Sequence, residues 1–333
     1  MTVAIAALAW SACGSNSSGP PGPPTGPTPT PPQITCPADV SVRGVSSATQ
    51  AVDYPAPTVT GGAAPTATIC SPASGATFSL GSTTVNCAAN DAQSRQASCT
   101  FTVTLTGFAL DAARFDAFGD SLTEGETGRP SVALPFLDPP NAYPTRLQAE
   151  FDETYPNQGI VVINRGLSGD SVDATESKVR QFLPIDRPDG ALFLSGYNNL
   201  TGACGPGHGS SGECTSAIGK VADGLRACLR RVKEANVGVR YTFLSNLTPP
   251  GPSGSNRIDG GAIVQANDRI KQVAAAEGAT YVDSYAAFVG HEAEYVNADG
   301  LHLRPAGYQA LADTFFAAIK ATVPQTPLLR ITR

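Results

Sequence analysis

Arg114-Phe115-Asp116-Ala117-Phe118-Gly119-Asp120-Ser121-Leu122 passes within a few residues from an apolar, strand-like run into a turn. Gly, Asp and Ser are turn formers, so the chain is expected to leave the strand at Gly119 and reverse at Ser121. Comparable short apolar runs recur at Ile160–Ile163, Ala191–Leu194, Val239–Leu244 and Thr280–Val282, separated by helical segments. Ile218, Val221, Ala222, Leu225, Cys228, Leu229 and Val232 fall at i, i+3, i+4 and i+7 spacing and predict one buried helical stripe. Alternating strand and helix with near-continuous apolar strands implies a three-layer α/β/α domain over residues 110–325, built on a parallel sheet. Ligands of such sheets collect at the carboxyl ends of the strands. Ser121 follows the first of these strands directly, and Gly169 and Asn198 follow the second and third.

Upstream, the period changes. In Cys99–Thr106, Cys99, Phe101, Val103 and Leu105 alternate with four threonines, which predicts a half-buried strand with threonine facing solvent. Val85, Cys87 and Ala89 repeat the pattern, and Pro55, Pro57, Gly61-Gly62 and Gly75 break up the short runs. Residues 33–107 therefore read as a small β-sandwich. Residues 14–32 are nearly all Gly, Ser, Pro and Thr; they cannot bury apolar surface and are expected to act as a stiff tether.

Residues 1–13 read as processing sequence. The apolar run Val3–Trp10 leads to Ser11-Ala12-Cys13, small residues before a cysteine. An exported protein with a secretory signal is expected. No later run approaches the ~18 apolar residues of a transmembrane helix.

The chain has 333 residues, a net charge of −6 and 15 % charged residues with scattered basic side chains, which argues against nucleic acid or an anionic membrane surface as partner. Export predicts disulfides among the eight cysteines, one of which stays unpaired if Cys13 is acylated. Cys36, Cys70, Cys87 and Cys99 allow three pairings. Cys204 and Cys214 are expected to pin a glycine-rich loop, leaving Cys228 a buried free thiol on its helical stripe. With His208 these three cysteines also invite a metal reading, but their spacing is not that of a common zinc site, and none is assigned.

Only three histidines exist. His208 lies in a glycine-rich stretch and His291 in an ordinary Gly-His-Glu context, whereas His302 follows Asp299 by three residues in Asp299-Gly300-Leu301-His302. That spacing lets Asp299 hold one ring nitrogen while the other faces Ser121. A turn serine, a tight-turn glycine at Gly169 and an incidental helix-start pair at Asp299 and His302 are the structural alternatives, and Asp120 reads as a turn-holding residue.

The blocks Gly119-Asp120-Ser121-Leu122, Asn164-Arg165-Gly166-Leu167-Ser168-Gly169-Asp170, Gly196-Tyr197-Asn198-Asn199 and Asp299-Gly300-Leu301-His302 appear in order. Across essentially its whole length the back domain thereby resembles the SGNH (GDSL-type) hydrolases. The resemblance implies a serine esterase without cofactor or metal, acting on acyl esters of carbohydrate or lipid. Ser121, His302 and Asp299 would be its triad, and the Ser121 and Gly169 N–H groups with the Asn198 amide its oxyanion site. Asn199 stands where the family usually has Asp. Ile34-Thr35-Cys36-Pro37, Cys70-Ser71-Pro72, Gly81–Cys87 and Cys99–Val103 resemble a hyalin-repeat (HYR) module, which implies an immunoglobulin-like fold with an accessory or adhesive role. Ser11-Ala12-Cys13 resembles the lipobox of bacterial lipoproteins, with Trp10 where Leu is usual and no Lys or Arg ahead of the apolar run; the resemblance implies Cys13 lipidated as a membrane tether, with a plain secretory signal as the alternative. A non-catalytic surface lipoprotein whose front module binds a partner is the alternative.

Overall fold

The computed structural model describes residues 29–45, 49–128, 136–156 and 158–327. The expected leader, Cys13 and the first part of the tether lie outside the described residues. Eight strands come first: β1 (Gln33–Thr35), β2 (Val40–Val45), β3 (Thr49–Ala51), β4 (Thr58–Thr60), β5 (Ala67–Ser71), β6 (Thr77–Ser79), β7 (Gly81–Asn90) and β8 (Gln96–Leu110). Then follow β9 (Arg114–Gly119), α1 (Ser121–Glu124), α2 (Tyr143–Thr154), β10 (Val161–Gly166), α3 (Val172–Asp186), β11 (Gly190–Leu194), α4 (Tyr197–Leu200) and α5 (Gly212–Ala235). The rest comprises β12 (Tyr241–Ser245), α6 (Gly260–Glu277), β13 (Thr280–Val282), α7 (Ser284–Phe288), α8 (Glu292–Tyr295), α9 (Pro305–Thr322) and β14 (Gln325–Pro327).

The chain divides into two compact units. One is made of the described residues up to Ala38 with Tyr54–Ser74 and Val85–Phe101. Within it β1 pairs with β4 and β5 with β7, both antiparallel, and Cys70 sits opposite Cys87. The disulfides are Cys36–Cys99 and Cys70–Cys87. Val85, Cys87 and Ala89 are buried as their alternation predicts, and Tyr54 meets Phe101 edge to face at 4.9 Å. So small a core gains from covalent cross-links. Asp91 accepts from the N–H groups of Ala63, Gln93 and Arg95 and pairs with the Arg95 guanidinium at 2.7 Å.

The other unit holds Asp39–Asp53, Gly75–Thr84 and the chain from Thr102 on. Here β2 lies parallel to β8, β3 antiparallel to β6 and β14 antiparallel to β8. Val103 and Leu105 point inward as expected, but Thr104 between them is also buried, contrary to the solvent-facing reading. Its hydroxyl lies 3.0 Å from Ser82 Oγ, so a hydrogen bond offsets the burial that its polarity opposes.

The α/β sheet has the order β10-β9-β11-β12-β13, parallel throughout. All five expected strands are present, and every residue of the predicted α5 stripe is buried. Parallel strands force crossovers, and right-handed crossovers put α2 on one face and α3, α5 and α6 on the other. Helix α2 packs on α9, while α5 packs between α3 and α6. The direction of strand addition reverses at β9, so a crevice opens at the carboxyl ends of β9 and β11.

Candidate active site

Ser121 begins α1 where β9 ends, and its side chain is buried. As the first helical residue it has a backbone N–H with no intrahelical acceptor. Asp120 caps the helix: Oδ1 accepts the Leu122 N–H at 3.2 Å, and Oδ2 accepts the Gly196 N–H at 3.3 Å. Burial pushes the Asp120 carboxyl up to about 6, against the pull of these bonds. Asp120 is thus the turn-holding residue that its position predicted.

His302 lies in the loop before α9, only 6 % exposed. Its Nε2 is 3.0 Å from Ser121 Oγ, and its Nδ1 is 2.5 Å from Asp299 Oδ2. Ser121, His302 and Asp299 therefore form one hydrogen-bonded chain. Asp299 Oδ1 accepts the N–H groups of Leu301 and His302 at 3.2 and 3.1 Å, and Asn256 Nδ2 donates to Oδ2 at 3.1 Å. Burial would raise Asp299, but the bond from His302 and the others outweigh it and hold the carboxyl below its usual range. A hydroxyl on an imidazole whose second nitrogen is held by a carboxylate can give up its proton as it attacks.

Gly169 lies in the loop between β10 and α3 at φ +86°, with open space where a side chain would be. A residue there needs the left-handed conformation, which glycine adopts freely, and its bare Cα leaves the backbone approachable. Asn198, second residue of α4, donates Nδ2 to the Asp170 carbonyl at 2.9 Å, which ties it to the Gly169 loop and leaves its other amide hydrogen. Lys178 on α3 reaches back to the same corner, donating to the Gly119 and Arg165 carbonyls at 2.8 and 2.6 Å and pairing with Asp170 at 2.6 Å. Asn199 accepts the Val172 N–H at 3.0 Å, so the acceptor its position needs is present without the charge.

Four contributors escaped the motif reading. Glu126 Oε2 lies 3.3 Å from His302 Nε2. Asn256 comes from the segment after the proline-rich stretch, whose Gly251 N–H donates to the Gly300 carbonyl at 3.0 Å. Gly128 faces Asp299 and His302 so closely that a Cβ would fall 2.4 Å from Asp299 Oδ2. Tyr308 donates its hydroxyl to the Glu126 carbonyl at 2.5 Å. Isolated Glu, Asn and Gly residues carry no periodic or spacing signal beyond the Gly- and Pro-rich composition of their loops, and Tyr308 reads as an ordinary core position of α9.

Of the four groups that invited a metal reading, Cys204 and Cys214 form a disulfide, and Cys228 is a buried free thiol pushed up to about 12 by burial. Among the described residues no cluster of three or more His, Cys, Asp or Glu side chains is arranged to hold a metal ion.

The model of the GDSL-like lipase/acylhydrolase family matches residues 117–310, more than half of the chain, and the model of the HYR domain matches residues 28–105. Similar solved structures include a lipase/acylhydrolase from Enterococcus faecalis, 19 % identical over 64 % of this chain and 97 % of its own, with a TM-score of 0.49. An acetylxylan esterase from Geobacillus stearothermophilus is 20 % identical over 62 % of this chain and 94 % of its own, with a TM-score of 0.48. A carbohydrate acetylesterase from Sinorhizobium meliloti is 16 % identical over 63 % and 99 %, with a TM-score of 0.49. No curated protein matches the chain.

Proposed function

The chain belongs to the GDSL-like lipase/acylhydrolase family and is a carboxylic ester hydrolase, and from that premise we propose that it is an exported serine esterase acting through Ser121, His302 and Asp299. The observation that carries this reading is the unbroken chain of contacts from Ser121 Oγ to His302 Nε2 at 3.0 Å and from Nδ1 to Asp299 at 2.5 Å. Ser121 Oγ attacks the ester carbonyl as its proton passes to Nε2. The Ser121 and Gly169 N–H groups and the Asn198 amide receive the oxyanion. His302 then protonates the departing alkoxide, leaving an acyl-serine that water hydrolyses by the same steps in reverse order. Acyl groups carried on carbohydrate or lipid are the proposed substrates. Three disulfides favour an oxidising compartment outside the cytoplasm, with Cys13 as the lipidation site and residues 33–107 as an accessory module ahead of the catalytic domain of residues 110–325.

The full chain should turn over p-nitrophenyl acetate and be labelled by a fluorophosphonate probe, and Ser121→Ala should abolish both. Turnover that survives Ser121→Ala sinks the assignment. Rates on acetylated sugars against long-chain acyl esters decide between the two substrate classes.

A further inference from the structure

Glu126 touches the reacting nitrogen of His302 yet takes no part in the chemistry proposed above. Its Oε2 is 3.3 Å from Nε2, the nitrogen that also faces Ser121 Oγ at 3.0 Å. The side chain is only 16 % exposed, and the backbone around it is held from several directions. The Glu126 N–H donates to the Ser121 carbonyl at 2.9 Å, and the Glu126 carbonyl accepts from Tyr308. The Thr127 N–H donates to the Phe136 carbonyl at 2.8 Å, and the Thr127 carbonyl accepts from Asn297 Nδ2. The backbone that carries the Glu126 carboxylate is thus held beside the imidazole by bonds that do not depend on its own side chain.

We propose, building on the assignment of His302 as base, that Glu126 is a positioning residue that retains the proton on His302 Nε2 and so sets the pH above which the esterase works. A protonated Nε2 donates to Glu126. A deprotonated one turns its lone pair toward a carboxylate, which is repulsive, so the charged ring is favoured. The other titratable groups acting on the ring are Asp299 on Nδ1 and Asp120 from the turn after β9, while the hydroxyl of Tyr308 on α9 meets the Glu126 carbonyl and that of Tyr197 on α4 meets Thr248. Burial pushes both tyrosines up, so they stay neutral, and Asp120 is ionised above about 6 without touching Nε2. Burial by itself would lower His302, but Asp299 and Glu126 together raise it to about 9. The base must be neutral to accept the Ser121 proton, so activity falls as pH drops below that value. The same carboxylate then stabilises the imidazolium formed when Oγ bonds to the carbonyl carbon, which favours the reaction once the ring has been deprotonated.

The two effects oppose each other, and that makes the proposal testable with Glu126→Gln in the full chain. In the Ser121→Ala background, where no turnover intervenes, long-range ¹H–¹⁵N NMR follows the His302 ring through its titration. Glu126→Gln should lower the midpoint by about one pH unit or more, toward the usual His value of about 6.5. With Ser121 present, the acid limb of kcat/KM should move the same way while the alkaline plateau drops, so the two pH profiles cross. An unmoved midpoint in folded Glu126→Gln, or a uniform loss of activity at every pH, overturns the proposal. If Glu126→Gln does not fold, Glu126→Asp, which withdraws the charge by one methylene, should lower the midpoint by less, and an unmoved midpoint there overturns it equally. The NMR midpoint tests the Glu126–His302 contact, whereas turnover by Ser121→Ala alone tests the nucleophile, so either idea can fail separately.

Discussion

Asp120 joins two loops through one carboxylate: Oδ2 accepts the Gly196 N–H at 3.3 Å while Oδ1 accepts the Leu122 N–H at 3.2 Å. The turn that bears Ser121 is thereby linked to the turn that leads to Asn198, although the two follow different strands, β9 and β11. Asp120→Ala removes a helix cap and leaves a buried N–H unpaired. It should cost about 1–2 kcal/mol in chemical denaturation and lower kcat/KM on p-nitrophenyl acetate by about 100-fold through misplacement of the attacking group. Full activity in Asp120→Ala would show that the link has no positioning role.

Gly128 is the closest packing constraint on the His302–Asp299 pair. At φ +59° a side chain is already strained, and a Cβ would sit 2.4 Å from Asp299 Oδ2 and 2.7 Å from His302 Nδ1. Gly128→Ala should push the ring off Ser121 and reduce kcat/KM by about 100-fold, with an unchanged far-ultraviolet circular dichroism spectrum. Kinetics on the purified variant check this directly.

Asn199 carries the acceptor but not the charge usual at its position. Asn199→Asp keeps the bond to the Val172 N–H and places a negative charge at the start of α3, where the helix dipole favours it. A gain of about 0.5 kcal/mol with activity retained is expected. Asn199→Ala leaves that N–H unpaired and should lose about 1 kcal/mol. Urea melts of the two variants should move in opposite directions.

Asp116 on β9 is wholly buried, and burial, then the neighbouring Asp186 carboxylate, push it up to about 7 against the pull of Arg165 and Arg114. The unfolded chain ionises this group near the ordinary Asp value of about 3.9. The folded state therefore binds the extra proton between these values, and the group's contribution to stability declines as pH rises from about 4 to 7. Asp116→Asn removes that decline. Calorimetry should find the variant's melting temperature raised relative to the parent at pH 8 and little changed at pH 4; the reverse order would refute the sign.

Much of the α/β domain was readable because its signals are local. The runs at Arg114–Phe118 and Ala191–Leu194 became β9 and β11 almost unchanged, and the seven-residue stripe on α5 faces the core as its spacing required. Strand β8 runs on to Leu110, where β14 pairs with it, a partner too distant in the chain for any window of residues to reveal. The misreading of Thr104 has the same origin: alternation assumes one wet face, and Ser82 supplied the bond that lets that face be covered.

The order of elements, the turn at Ser121 and the short spacing between Asp299 and His302 were written in neighbouring residues, because dihedral preference and side-chain period act over a few positions. Bringing Ser121 to His302 across 181 residues, choosing Cys36–Cys99 and Cys70–Cys87 from three possible pairings, and setting Glu126 against Nε2 were each decided by the folded unit that holds them. Contacts of that range are fixed by packing and chain closure, which depend on every strand and helix at once, so no short motif encodes them.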